Sequence, residues 1–216
     1  MRFNIQRQRG FTLTEMAIVV VLGGILLAAG LMAGRGQISR SQAQDVIQIV
    51  GDLQTASASF KQRYGYLPGD WVFAANVLPV ALVPAGGTGG TLGDGLITGT
   101  MAVGTGVATA GSEIAEAPVQ LYAAGLIGKL GTNATQRIQS QFGPVQMASA
   151  TAARTNAAYI AANGSVKNVI IFYNLPCEVV LDVDRALDDG VDSTGRAGTN
   201  VPCAAGGTAA RFYAPL

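Results

Sequence analysis

The chain is predicted to fold as an α+β protein in which one long N-terminal helix packs on a small antiparallel sheet. An uncharged, mostly apolar run covers residues 16–34. Beyond this run, apolar residues recur at steps of three, four or seven, which is typical of one face of an amphipathic helix. These residues are Val46, Ile49, Val50, Leu53, Phe60 and Tyr64. The C-terminal third instead contains short runs of β-branched and aromatic residues between turn residues, which favour strands.

The first half of the predicted helix is long enough to cross a bilayer. Residues 11–34 amount to about 24 residues, or roughly 36 Å at the helical rise. Arg2, Arg7 and Arg9 precede it and place that end in the cytoplasm by the positive-inside rule. The bulk of the chain is then expected outside the cytoplasmic membrane.

Six residues at the head of the apolar run carry the most specific pattern of the sequence: Gly10-Phe11-Thr12-Leu13-Thr14-Glu15. An acid at the entrance of a membrane-length segment is costly unless something pairs with it. The pattern resembles the N-terminal cleavage and methylation signal of type IV prepilins and of type II secretion pseudopilins. A secretory signal peptide cut near residues 28–30 and an uncleaved single-pass anchor are the alternatives. Neither explains a glycine, an aromatic residue and an acid at this spacing.

The resemblance assigns a role to each of these residues. It implies that a prepilin peptidase cuts between Gly10 and Phe11, and that Phe11 becomes an N-methylated terminus. It also implies that the Glu15 carboxylate neutralises the terminal amine of a neighbouring subunit in an apolar fibre core, where an unpaired charge is expensive. Loss of the leader would remove three arginines and leave 11 basic against 13 acidic residues, a net charge of −2.

The resemblance also implies the organisation of the chain. Residues 1–10 are a leader peptide, residues 11–34 the transmembrane and fibre-core half of the helix, and residues 35–64 its amphipathic half. Residues 65–216 form a globular head with a C-terminal disulfide loop. The expected fold class is therefore a pilin-like α+β fold.

Composition limits what the head can do. Charged residues make up 12% of the chain and the net charge is +1, so no direct nucleic-acid site is evident. The absence of histidine excludes Ser–His and Cys–His catalysis and histidine metal sites. A length of 216 residues suggests one folded domain beyond the helix.

The first part of the head is predicted to be mostly irregular. Glycine and proline in residues 65–70 end the long helix in a turn. Residues 84–111 are rich in Gly, Thr and Ala, which indicates an extended loop. A short helix is expected around residues 119–126. Residues 145–163 are Ala-rich and ambiguous between helix and loop.

Three strands are predicted in the C-terminal third. Residues 169–173 are a buried strand candidate, residues 178–183 a second one, and residues 211–213 a short last strand. Together these would form a small antiparallel sheet packed on the amphipathic half of the helix.

Cys177 and Cys203 are the two cysteines of the chain. An even pair in an exported protein indicates a disulfide. In the chain-entropy model, a loop of this size contributes roughly 3.5 kcal/mol to stability.

Five aspartates lie within that loop: Asp182, Asp184, Asp188, Asp189 and Asp192. Oxygen ligands without histidine, outside the cell, suit calcium better than zinc or copper. Some pseudopilins bind calcium in a comparable loop. The spacing does not fit an EF-hand, because Ala186 takes the third ligand position. The alternative is a solvated Asp-Asp-Gly turn with a helix cap, and no other cofactor is expected.

The expected function is that of a major or minor pilin in a type IV pilus or related filament, and not of an enzyme. Its expected partners are a prepilin peptidase, other pilin subunits, the assembly machinery and the membrane. The inner membrane, and then a periplasmic or cell-surface filament, are the expected locations. A pseudopilin of a type II secretion system and a secreted or membrane-tethered protein with an ordinary export signal are the alternatives.

Overall fold

The computed structural model describes residues 11–73, 77–78, 90–102, 104–151 and 165–216, with the side chains of residues 31–35 excepted. Its helices are α1 (Leu13–Tyr64), α2 (Glu113–Ala123) and α3 (Cys177–Leu187). Its strands are β1 (Met101–Ala102), β2 (Val107–Ala108), β3 (Ile138–Gln139), β4 (Pro144–Ser149), β5 (Asn168–Pro176), β6 (Gly198–Thr199) and β7 (Thr208–Pro215). The chain divides into two compact units, Met1–Arg40 and Ser41–Leu216. The long N-terminal helix with antiparallel sheets confirms the predicted α+β class.

In the first unit, α1 begins at Leu13 and presents its apolar side chains to the outside. Val20 is 71% exposed and Leu26 is 72% exposed. The stretch Leu13–Gly30 has a mean hydropathy of 2.2 and is, by length and composition, able to cross a membrane. Apolar side chains over this length require an apolar partner outside the unit itself.

In the second unit, α1 buries one face, and this face is the one that the apolar spacing predicts. Ala43, Val46, Val50, Leu53, Ala56 and Phe60 belong to the same hydrophobic core as the strands. The side-chain amide of Gln54 donates to the carbonyl oxygen of Pro215 in β7 at 2.8 Å. The helix ends at Tyr64, where Gly65 adopts a φ of +84° that favours glycine. The amphipathic half of the helix therefore packs on the sheet, as predicted.

The main sheet has five antiparallel strands in the order β3-β4-β5-β7-β6. The central pair aligns Val169 with Pro215 and Phe172 with Phe212. The side chains of β5 from residue 168 to residue 173 are all buried, which confirms the predicted buried strand. The last strand was predicted correctly at residues 211–213 but is longer, because it pairs with β5 over nearly its whole length. A separate two-stranded hairpin joins β1 and β2.

One predicted strand is wrong, because residues 178–183 lie in α3. The β-branched residues Val179, Val180 and Val183 favour a strand by propensity. Their spacing of one and three positions also matches one face of a helix, and all three are buried. Packing of that face against β5 and β7 overrides the local preference.

Two further boundaries differ from the prediction. The helix expected around residues 119–126 runs instead from Glu113 to Ala123, since the hydroxyl of Ser112 accepts a hydrogen bond from the amide of Ala115 and caps it. Residues 144–149, predicted as helix or loop from residue 145, form β4 because they pair with β5. The rest of that ambiguous stretch, residues 152–164, lies outside the described residues. Residues 84–89 of the predicted glycine-rich loop also lie outside the described residues. The described remainder of that loop is irregular apart from the β1–β2 hairpin.

Candidate functional site

Glu15 is fixed at the start of α1 by a reciprocal pair of hydrogen bonds with Thr12. The Thr12 amide and hydroxyl donate to the Glu15 Oε2 atom at 2.8 Å and 2.7 Å. The Glu15 amide donates back to the Thr12 Oγ1 atom at 3.3 Å. This is the capping box formed by a Thr-x-x-Glu sequence, and it satisfies amides that the first turn of a helix leaves without partners.

The capping box determines what the carboxylate can still bind. Both bonds from Thr12 fall on Oε2, so the cap does not use Oε1. Phe11, the residue before the cap, is 83% exposed. Gly10, on the other side of the predicted cleavage site, lies outside the described residues. The start of α1 thus combines an oriented carboxylate with an exposed apolar surface.

The predicted disulfide between Cys177 and Cys203 is present. The two Cα atoms are 5.4 Å apart and the S–S distance is 2.19 Å. Cys177 is the first residue of α3, and its amide donates to the carbonyl oxygen of Gly207 at 3.0 Å. The bridge ties the start of α3 to the loop before β7 and encloses the five aspartates.

Three of these aspartates accept hydrogen bonds that shape the enclosed loop. Asp188 accepts from the amides of Arg196 and Ala197, the second at 3.0 Å. The Asp192 carboxylate accepts from the amide of Cys203. Asp189 accepts from the amide of residue 191 at 2.9 Å and from the hydroxyl of residue 194 at 2.6 Å. In this loop, several backbone amides therefore donate to carboxylate oxygens instead of to the carbonyl oxygens of a neighbouring strand.

The structure brings together three of the five predicted calcium ligands. One carboxylate oxygen from each of Asp184, Asp188 and Asp189 lies within 4.8 Å of the others. Asp182 instead forms an ion pair with Arg185 at 3.0 Å, and Asp192 lies outside the group of three.

Asp184 is the unusual member of this group. Its side chain is fully buried, and neither oxygen has a hydrogen-bond partner among the described residues. Burial, followed by repulsion from Asp189 and Asp188, raises the pKa of Asp184 to about 6, and the nearby amide of Gly190 opposes part of this shift. The group offers the charge and the oxygen ligands that a cation needs, because Ca²⁺ prefers several oxygen ligands including carboxylates.

A second polar cluster, which the sequence did not reveal, organises the turn after α1. The Gln120 side chain of α2 accepts from the amide of Gly69 at 2.7 Å and donates to the carbonyl oxygen of Trp71 at 2.7 Å. A Cβ at Gly69 would lie 2.3 Å from the carbonyl oxygen of Glu113, so the close approach of turn and helix requires glycine.

An apolar, capped N-terminal helix followed by an α+β head with a C-terminal disulfide is the organisation that the resemblance to type IV prepilins implies. Comparisons with known proteins agree. Residues 5–31 match the family described as the prokaryotic N-terminal methylation motif. The chain is 34% identical over 110 residues to fimbrial protein EcpC of Eikenella corrodens, over 48% of this chain and 68% of that protein. No solved structure matches.

The chain therefore belongs to the type IV prepilin family.

Proposed function

We propose that this chain is a major or minor pilin of a type IV pilus or related filament, and that it acts as a structural subunit without enzymatic activity. The observation that carries the proposal is the capped Glu15 carboxylate at the head of an exposed apolar helix. Such a helix is unfavourable in water, and burial among identical helices removes its apolar surface from solvent. A neighbouring terminal amine, donating to the Oε1 atom of Glu15, then neutralises the carboxylate in the fibre core.

Processing and location follow from this proposal. A prepilin peptidase cuts after Gly10, and the new terminus Phe11 is methylated. The subunit waits in the inner membrane until the assembly machinery transfers it into a filament that crosses the periplasm to the cell surface. Mass spectrometry of the mature protein should give a chain that starts at Phe11 and carries one methyl group. A start near residue 30 would instead support an ordinary signal peptide.

The role of Glu15 is tested by variants that separate its charge from its cap. Glu15→Gln keeps a capping residue but loses the charge, Glu15→Ala loses both, and Thr12→Ala keeps the charge but loses the cap. All three should be inserted and cleaved. We expect both Glu15 variants to give few filaments in the sheared surface fraction, and Thr12→Ala to assemble. Normal filaments from Glu15→Gln would show that Glu15 acts only as a helix cap.

A pseudopilin of a type II secretion system is the second candidate, favoured by the same helix and cleavage signal. The two differ in where the assembled protein accumulates. A pilin produced from its own locus is recovered in sheared surface filaments, whereas a pseudopilin stays in the cell envelope and its deletion stops secretion of folded proteins. Fractionation of wild-type cells and of a deletion strain separates the two.

We also propose that Asp184, Asp188 and Asp189 bind calcium in the disulfide loop. The favouring observation is the buried Asp184 carboxylate, whose two oxygens lack hydrogen-bond partners among the described residues while two other carboxylates lie close to it. Calcium should raise the unfolding temperature of the wild type, and Asp184→Asn should abolish this increase. Asp182→Asn is the matched control, because Asp182 lies outside the group and should leave the calcium effect unchanged.

A further inference from the structure

Buried polar side chains hold an irregular stretch of the head, residues 90–98, which we call segment 90–98. Asp70, from the turn after α1, accepts hydrogen bonds from the amides of Gly93 and Gly95 at 2.9 Å and 3.0 Å. Asn168, the first residue of β5, accepts from the amide of Ile97 at 2.9 Å. Asn168 also donates to the carbonyl oxygen of Gly95, and the amide of Ser149 in β4 donates to that of Ile97. Glu113, the first residue of α2, supplies a further attachment through Thr98. Elements that are distant in sequence therefore converge on one segment without regular structure.

The attachment through Glu113 uses only one of its oxygens. The Thr98 amide and hydroxyl both donate to Oε2, at 2.6 Å and 2.8 Å. The side chain is fully buried, and Oε1 has no hydrogen-bond partner among the described residues. A neutral carboxyl group suits this arrangement better, because its carbonyl oxygen accepts both bonds and the Oε1 hydroxyl leaves one uncharged donor without a partner among the described residues. An ionised group would leave a charged oxygen buried without a partner, which is costly.

The charges around Glu113 also disfavour its ionised form. Asp70 faces it from the turn after α1 and is itself buried, and Asp94 faces it from segment 90–98. Both are carboxylates, so each repels a second negative charge. Burial is the largest effect, and with these repulsions it raises the pKa of Glu113, whereas the two bonds from Thr98 lower it. The N-terminal end of α2 also favours a negative charge and so acts against the burial and the repulsion.

We propose that Glu113 is a proton-controlled latch, which holds the Thr98 end of segment 90–98 on the start of α2 when protonated and releases that end when ionised. Asp70 differs from Glu113 because each of its oxygens accepts an amide, although burial raises the pKa of Asp70 as well. The folded-state pKa of Glu113 is raised, so its contribution to holding the segment is complete below the ordinary carboxyl range. That contribution is lost as the pH rises through the raised pKa. The Thr98 end of segment 90–98 therefore loosens as the pH rises through that pKa.

Hydrogen exchange of the full chain in detergent micelles tests the latch. Protection of the Thr98 amide is measured from about pH 4 to about pH 7 and corrected for intrinsic exchange, with the Asp70-bonded amides of Gly93 and Gly95 as a comparison. We expect protection to fall at least several-fold over this range, with the amides of β5 unchanged. Glu113→Gln keeps the bonds from Thr98 without an ionisable group, so its protection should stay high and independent of pH.

A matched control and a measurement on the wild type complete the test. Glu178→Gln makes the same substitution at an exposed residue in the first turn of α3, and should keep the wild-type pH dependence. If Glu113→Gln also keeps it, or if the wild type shows none, the latch is refuted. Should Glu113→Gln not fold, a carbon-13 titration of the wild-type Glu113 carboxyl decides, and a pKa at or below the ordinary value refutes the proposal. A pH dependence that disappears with a chelator would refute it in favour of a bound cation.

Discussion

The two units of the chain place parts of one helix in opposite surroundings. In the first unit, Leu26 and its apolar neighbours are exposed, and the hydrogen bonds that fix the helix start come from residues three positions away. In the second unit, Val50 and Phe60 are fully buried, and Gln54 bonds to a strand 161 positions away. The comparison teaches that the head carries its own hydrophobic core, while the first unit depends on lipid or on neighbouring subunits for an apolar partner.

The largest expected effect contrasts two large-to-small substitutions in α1. Phe60→Ala should destabilise the head by about 3–5 kcal/mol, because it leaves a cavity in a packed core. Leu26→Ala should change the unfolding of the head by less than about 0.5 kcal/mol, because the residue is exposed. Denaturant unfolding of the full chain in detergent, followed by Trp71 fluorescence, measures both. Equal effects of the two substitutions would contradict the comparison.

Removal of the disulfide should have a similar but more local effect. Replacing Cys177 and Cys203 by serine should destabilise the head by roughly 3.5 kcal/mol through the entropy of the unfolded loop. Proteolysis should then occur first within residues 178–202, while insertion and cleavage of the N-terminal helix stay normal. The same limited proteolysis on the reduced wild type is the control, and an unchanged cleavage pattern would contradict the prediction.

A smaller effect is expected where a side chain supports irregular backbone. Gln120→Leu should cost about 1–3 kcal/mol, because the amide of Gly69 and the carbonyl of Trp71 lose their partner in a buried place. Gln139→Leu provides an exposed control with the same change of chemistry, because its side-chain amide also donates to a loop carbonyl. Comparison of the two unfolding free energies measures the contribution of burial. Similar losses would show that burial at Gln120 is unimportant.

The smallest effect concerns the helix start. Thr12→Ala removes the capping box and should destabilise the first turn of α1 by about 1 kcal/mol. Hydrogen exchange should increase for amides of residues 13–16 and stay unchanged in α2. Lost protection in the amides of the head would contradict a purely local effect of the cap.

Much of the fold could be predicted because its signals are local. The apolar run and the spacing of Val46 and Val50 specify α1, and the continuous apolar run of β5 specifies a strand buried on both faces. The strand predicted at residues 178–183 was wrong, because β-branched valines fit either element and only packing on β5 and β7 decides between them. Strand β4 is another case, since its assignment depends on pairing with β5 and not on its own composition.

The candidate sites also divide into features that local sequence reveals and features that depend on the folded chain. The capping box of Thr12 and Glu15 is visible in the sequence as a Thr-x-x-Glu pattern, whereas the charge of Glu15 alone predicts no bond to Thr12. The pairing of Cys177 with Cys203 followed from their being the two cysteines. The attachments of segment 90–98 could not be predicted from the sequence, because Asp70 and Asn168 lie 25 and 71 positions from the amides that they bind. No periodicity or motif connects such partners before the chain is folded.

The position of β7 constrains the order in which the head acquires its structure during export. This strand follows all the other described elements along the chain, yet it lies between β5 and β6 in the sheet. As residues emerge in order on the far side of the membrane, β5 has an unpaired edge until residues 208–215 have crossed. Cys177 and Cys203 emerge before those residues, so an oxidising enzyme can meet both thiols while the sheet is still open. The head is therefore closed by its last strand, and a chain halted shortly before β7 would present an unpaired edge that proteases and chaperones can recognise.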